Sequence, residues 1–144
     1  MSTVRHILAR KGMDVHSVRP DQTVLDALNV MAEANIGSVM VISGDKVEGI
    51  FTERLYARKV FREGKASPTT PVRDVMQADV ICVPPDQSTE ACMALMTEKR
   101  ISHLPVMSEG RLVGLVSIGD IMKSLVDHRE SRINRLEEYV SGRG

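Results

Sequence analysis

Apolar positions along the chain change twice, in the same order, between β-type runs and helical spacing. Residues 15–18 form a short extended stretch closed by proline. Val24, Leu28 and Met31 then recur at the three-and-four spacing of one helix face, which predicts a helix over 23–34. Thr23, with Asp26 three residues on, supplies a capping box at its start. Two β-rich runs follow, 38–42 and 48–51, separated by Gly44 and Asp45, and read as a hairpin. A closing helix starts near Glu53. The order then recurs: an extended piece at 80–83, a helix over 88–99, β-runs at 104–107 and 112–116 around Glu109 and Gly110, and a closing helix from about Ile118. A short leading helix is expected over 4–10. The last helix is expected to be long, because Ile118, Ile121, Met122, Leu125 and Val126 continue sparsely to Ile133, Leu136 and Val140; its tail is expected to pack on a partner subunit.

The recurrence is visible residue by residue. A shift of 65 positions places Asp14, Val15, Val18, Pro20, Asp21 and Gln22 on Asp79, Val80, Val83, Pro85, Asp86 and Gln87. Met31, Glu33, Ile36, Val41, Ser43 and Gly49 fall likewise on identical residues, so 12 of 47 ungapped positions match, far beyond chance. The organisation is then a leading helix (1–12), a first repeat (13–63), a Gly, Pro and Ser/Thr-rich linker (64–72), a second repeat (73–128) and a helical tail (129–144). A unit of about 50 residues is marginal alone, so the two copies are expected to share a core as one module. The fold class is α+β, two β-α-β-β-α repeats related by pseudo-two-fold symmetry.

Composition narrows the function. At 42% apolar and 26% charged residues the chain can bury a core. Nineteen basic residues balance nineteen acidic ones, without the basic excess of a nucleic-acid binder. With two Tyr, two Phe and no Trp there is little to stack bases on. Cys82 and Cys92 have neither disulfide-framework nor zinc spacing. No signal-peptide pattern and no apolar run long enough for a bilayer occur, so a cytoplasmic protein without membrane or nucleic-acid partners is expected. His6, His16, His103 and His128 form no metal or catalytic pattern, no metal ligands are expected, and no nucleophile–base pair is suggested; an enzyme is not expected.

The β-α-β-β-α repeat, the DVHSVRPD opening at 14–21, the ISHLPV segment at 101–106 and the GLVSIGD segment at 114–120 together resemble the cystathionine-β-synthase (CBS) domain family, and two in tandem resemble a Bateman module of the small stand-alone bacterial type. The resemblance spans roughly residues 14–126. It implies a regulatory module that binds an adenosyl ligand such as AMP, ATP or NAD as effector, in a cleft between repeats, with no required cofactor. It also implies a homodimer and a target protein that the sequence does not name.

The resemblance distributes site roles. Gly114, Ser117 and Asp120 match the family's ribose-binding motif: a carboxylate can accept from both ribose hydroxyls in charge-assisted bonds. Ser-x-x-Asp is equally a capping box for the last helix. Thr52 keeps the hydroxyl in the first repeat, but Leu55 replaces the acid, so one competent site per chain is expected. Val80, Ile81 and Cys82, with Ser17 at the matching place, would flank the adenine; Leu104, beside Pro105, would cover the base, and His103 would approach a phosphate or stand on the surface. Arg54 and Arg58, four apart on one helix face, would clamp phosphates or simply be solvated. Gly37 would admit a ligand near the backbone or serve a turn. The alternative function is a dimeric interaction scaffold with a vestigial pocket. Redox sensing through Cys82 is a lesser reading.

Overall fold

The computed structural model describes residues 2–138. In chain order it contains α1 (Val4–Lys11), β1 (Ser17–Val18), α2 (Val24–Ala34), β2 (Ser38–Ser43), β3 (Lys46–Thr52), α3 (Glu53–Leu55) running into a π-helical turn (Tyr56–Phe61), a 3-10 turn (Val72–Asp74), α4 (Thr89–Lys99), β4 (His103–Ser108), β5 (Arg111–Ser117) and α5 (Ile118–Glu138). Residues 14–81 make one compact unit; residues 82–138 make the other together with the amino-terminal segment. Val140, read with the last helix from its apolar spacing, lies outside the described residues.

The two repeats fold alike because they carry the same local instructions. Thr23 Oγ1 accepts from the Asp26 N–H (3.1 Å) while Asp26 Oδ2 accepts from the Thr23 N–H (3.1 Å), closing the capping box on α2. Ser88 Oγ accepts from the Ala91 N–H (3.1 Å) at the start of α4. Both helices stop at a left-handed residue, Asn35 (φ 54°) and Arg100 (φ 56°), after which Ile36 and Ile101 donate back to Met31 and Met96. The inward faces are Val24, Ala27 and Met31 on α2 and Thr89, Cys92 and Met96 on α4. The hairpins β2–β3 and β4–β5 share register and an irregularity at the same place, Val41/Ile42 and Val106/Met107.

One strand differs. β1 runs parallel to β2, and the Met40 N–H donates to the His16 carbonyl (3.0 Å). Pro105 stands at Met40's place in the second repeat and has no N–H to give. The extended piece expected over 80–83 therefore shrinks to a single parallel bridge, Val83 with Val106, held by Val83 N–H to Pro105 O and Met107 N–H to Val83 O (both 3.0 Å).

Each unit is completed by a leader that precedes the other repeat in sequence. Val72 N–H donates to Gln22 O (2.7 Å) and Arg73 N–H to Pro20 O (3.2 Å), so the end of the stretch read as linker is docked on the first repeat. In the same way Val4 N–H donates to Gln87 O (2.9 Å) and Arg5 N–H to Pro85 O (2.8 Å) on the second. Val72 and Val75 join Val18, Val39, Val41, Phe51 and Val60 in the core of the first unit. Val4, Ile7 and Leu8 are buried in the second unit, as are Leu104, Val106, Val116 and Ile121. Full burial of such a side chain is worth roughly 1.5–3 kcal/mol.

The close approach of the leaders explains two matching glycines. A Cβ on Gly49 would lie 2.7 Å from both the Gln77 carbonyl oxygen and Met76 Sδ; one on Gly114 would lie 2.6 Å from Leu8 Cδ2. Gly114, placed in the ligand motif by resemblance, thus has a packing duty of its own. The first closing helix also departs from expectation. After three α-helical residues it widens, Arg62 N–H bonding to Ala57 O (3.1 Å), and the four-residue spacing that put Arg54 and Arg58 on one face no longer describes it. Among the described residues no helix is long and apolar enough to cross a membrane.

Candidate functional site

The acid singled out from the sequence sits at the mouth of α5. Asp120 Oδ2 accepts the Ser117 N–H (2.8 Å), and Ser117 Oγ accepts the Asp120 N–H (3.1 Å), so the Ser-x-x-Asp pair does form a capping box. It does more than cap. Lys11, the last residue of α1, donates from Nζ to the same Oδ2 (2.7 Å) and to the Leu115 carbonyl (2.9 Å). Among the described residues Oδ1 accepts no hydrogen bond. Burial of the Asp120 carboxyl would raise its pKa; the Lys11 ammonium and Ser117 outweigh that and hold it below the ordinary aspartate value. The group is an anion at neutral pH, with its charge directed at one ammonium.

Around this pair lies a groove of about 220 Å³ lined by Ile7, Arg10, Lys11, Asp120, Lys123 and Ser124. Arg10 pairs with Asp127 at 2.9 Å, and Ser124 Oγ lies 3.0 Å from Ser2 Oγ. The two helices supply three basic side chains to two acidic ones, an arrangement able to hold a polar ligand bearing both hydroxyls and negative charge. Of these residues the sequence reading found only Asp120. Its spacing of 65 gave the first eleven residues no counterpart. A shift of 68, placing Val4 and Arg5 on Val72 and Arg73, marks them as the leader of a repeat.

The other residues expected at a site fall as follows. In the unit of residues 82–138, His103 is half-buried with Nδ1 3.0 Å from Ser102 Oγ, and Cys82 is exposed while partial burial of its thiol raises its pKa. Leu104 is wholly buried and Pro105 is buried with it, because β4 is covered on both faces over 104–106; neither side chain is available to cover a base in this arrangement. Cys92 is core, its thiol pushed up to about 11 by burial.

In the unit of residues 14–81, Ser17 is exposed on β1, and Thr52 Oγ1 caps the Leu55 N–H (3.1 Å). Leu55 packs on the core there and has no carboxylate to answer the Thr52 cap. Gly37 faces the Glu53 carboxylate, whose carbon would be 3.7 Å from an added Cβ. Arg54 and Arg58 are exposed; Val80 and Ile81 are half-buried. Among the described residues no group of three His, Cys, Asp or Glu could hold a metal.

Comparison with known proteins places this geometry in a family. The CBS domain family model matches twice, over residues 4–60 and 72–127, each match beginning at a docked leader. The chain is 33% identical over 150 residues to the mitochondrial CBS domain-containing protein CBSX3 of Arabidopsis thaliana, covering 98% of this chain and 73% of that one. It superimposes with a TM-score of 0.85 on the structure of a protein with CBS domains from Burkholderia ambifaria, at 47% identity, covering 88% of this chain and 95% of that one. The CBS domain pair of protein MJ0100, solved in complex with 5′-methylthioadenosine and S-adenosyl-L-methionine, shares the fold at TM-score 0.77 and 21% identity, covering 89% of this chain and 98% of that one. This chain is therefore a member of the CBS domain family, carrying two CBS domains.

Proposed function

We propose that the second repeat binds an adenosyl effector, of the kind represented by AMP, ATP or NAD, and that occupancy is read by a target protein as a change in packing. The observation that carries this reading is Asp120: a half-buried carboxylate at a helix mouth, one oxygen without a hydrogen bond among the described residues, opening on a cationic groove. The two cis-hydroxyls of a ribose suit such an acceptor. That the pair of MJ0100 takes adenosyl compounds supports the same ligand class. Leu55 offers no equivalent acceptor, so we assign one nucleoside site to each chain. Ligand bound only to one packing state shifts the population toward it.

A second reading has its own observation: Asp120 already serves its own backbone and Lys11, as it would in a scaffold with a vestigial pocket. Both readings accommodate a homodimer. Ile118, Met122, Val126, Ile133 and Leu136 leave a 40–62% exposed apolar stripe along α5. Thermal melts and calorimetry with AMP, ATP and NAD decide between them. At a hundredfold excess over Kd a ligand adds about 2.7 kcal/mol to the folded state. Asp120→Ala should erase that gain. No heat and no melting shift with any of the three at millimolar concentration would leave the scaffold.

A further inference from the structure

The second match to the CBS domain ends at residue 127, yet α5 continues to Glu138. Its apolar side chains continue with it. Met122, Val126, Ile133 and Leu136, all 48–62% exposed, recur with Arg129 at alternating intervals of four and three residues. That is heptad spacing, with Val126 and Ile133 at the a positions and Met122, Arg129 and Leu136 at d. Ile121 and Ser124, on the other side of the helix, are buried. The stripe is therefore the side of α5 turned away from its own unit. A short helical stretch beyond the domain gains little from propensity alone, and exposed Ile and Leu there contribute only when a partner covers them. Two exposed charges of opposite sign flank the stripe, Lys123 beside its first half and Glu137 beside its last turn, both at e positions.

We propose that this stripe is the docking surface for α5 of a second copy of the chain, laid antiparallel. The partner follows from self-complementarity: a stripe with a cation near one end and an anion near the other fits itself when reversed on a two-fold axis. In that arrangement a positions meet d positions. Val126 packs against the partner's Leu136, and Arg129 against the partner's Ile133. The e positions then meet each other, which brings Lys123 beside the partner's Glu137 at both ends. A parallel pair would instead set Arg129 against the partner's Arg129 in the seam, like charge on like charge. It would also leave Lys123 and Glu137 roughly 21 Å apart along the axis. The inference concerns the association of α5 and is independent of any ligand at Asp120.

Sedimentation equilibrium on the full chain tests this. The native chain should dimerise, and Ile133→Ser combined with Leu136→Ser should raise the dissociation constant of the dimer by about tenfold or more. Lys123→Glu and Glu137→Lys should each raise it by roughly threefold, and the two together should return it to near the native value, because the signs are exchanged across the two-fold. Far-UV circular dichroism reports that each variant is folded. A monomeric native chain, a dimer indifferent to the two serines, or charge reversals that add instead of cancelling overturns the proposal. None of these outcomes touches the nucleoside reading, which calorimetry tests separately.

Discussion

The two units are built from one pattern and differ most where their leaders end. In the unit of residues 14–81 the leader is a single 3-10 turn, after which Gln77 turns to pair with Ile50. In the other unit the leader is an eight-residue helix, long enough to carry Arg10 and Lys11 to α5. The longer leader goes with the acid: Asp120 stands where the first repeat has Leu55. The comparison teaches that the distinguishing chemistry is added at the edges of a common fold. The shared helix caps, hairpins and bulges hold the scaffold, and a longer leader together with an acid at the third position of the last cap turns a plain helix start into a charged groove.

The largest effect expected from this comparison lies at the matching glycines. Gly49→Ala brings a methyl within 2.7 Å of a backbone carbonyl, whereas Gly114→Ala meets only the end of the Leu8 side chain. Overpacking of this kind costs about 1–3 kcal/mol. Leu8→Ala alone, at a buried position, should cost about 2–5 kcal/mol. Combined with Gly114→Ala it should cost less than the sum, because the added methyl enters the space that Leu8 vacates. Met76→Ala should not rescue Gly49→Ala, since the Gln77 carbonyl stays in place. Urea denaturation of the six variants reads the two cycles. Rescue in the Gly49 pair, or strict additivity in the Gly114 pair, would break the distinction.

Much of this fold was legible in the sequence because it is written in local terms. Thr23 with Asp26, Gly44 and Asp45 in the first turn, and helical spacing at Val24, Leu28 and Met31 each act over a few residues, and the repeat states them twice. What was not legible depends on contacts distant in sequence. Docking of Val4 on Gln87 and of Val72 on Gln22 joins segments that a reading in chain order assigns elsewhere. The lost β-ladder at 80–83 follows from Pro105, more than twenty residues away. Asp120 was visible as a motif, and its capping role with it. Its partner Lys11 was not, since nothing local links residues 109 positions apart. Leu104 was read as a cleft residue by analogy, and its burial follows from strand coverage that no motif encodes.

A smaller effect tests whether the asymmetry resides in the acid and not in the hydroxyl. Thr52 Oγ1 and Ser117 Oγ each cap the third N–H of the following helix at 3.1 Å. Thr52→Ala and Ser117→Ala should each cost about 1 kcal/mol. Near-equal losses in urea would assign the difference between the units to Asp120 and Leu55. A loss confined to Ser117→Ala would show that the first closing helix, with its π-helical turn, gains nothing from its cap.

The smallest effect is a dependence on acid that one unit should show and the other should not. The folded carboxyl of Asp120 is held below the unfolded value, so its charge-dependent stabilisation is fully present above the unfolded aspartate pKa, about 3.9, and fades as pH falls through the lower folded value. Asp120→Asn keeps an oxygen for the Ser117 N–H and removes the charge that faces Lys11. At pH 7 the substitution should cost from a few tenths of a kcal/mol to about 1, the range of partly exposed ion pairs. The gap between native chain and variant should then narrow as the pH is taken below about 4. Leu55→Ala, at the matching position, removes no titrating group, so its gap should be the same at both ends of that range. If the Asp120→Asn gap also stays flat from neutral pH into acid, the Lys11 contact contributes nothing in solution, and the acid distinguishes the two units by no charge-dependent stability.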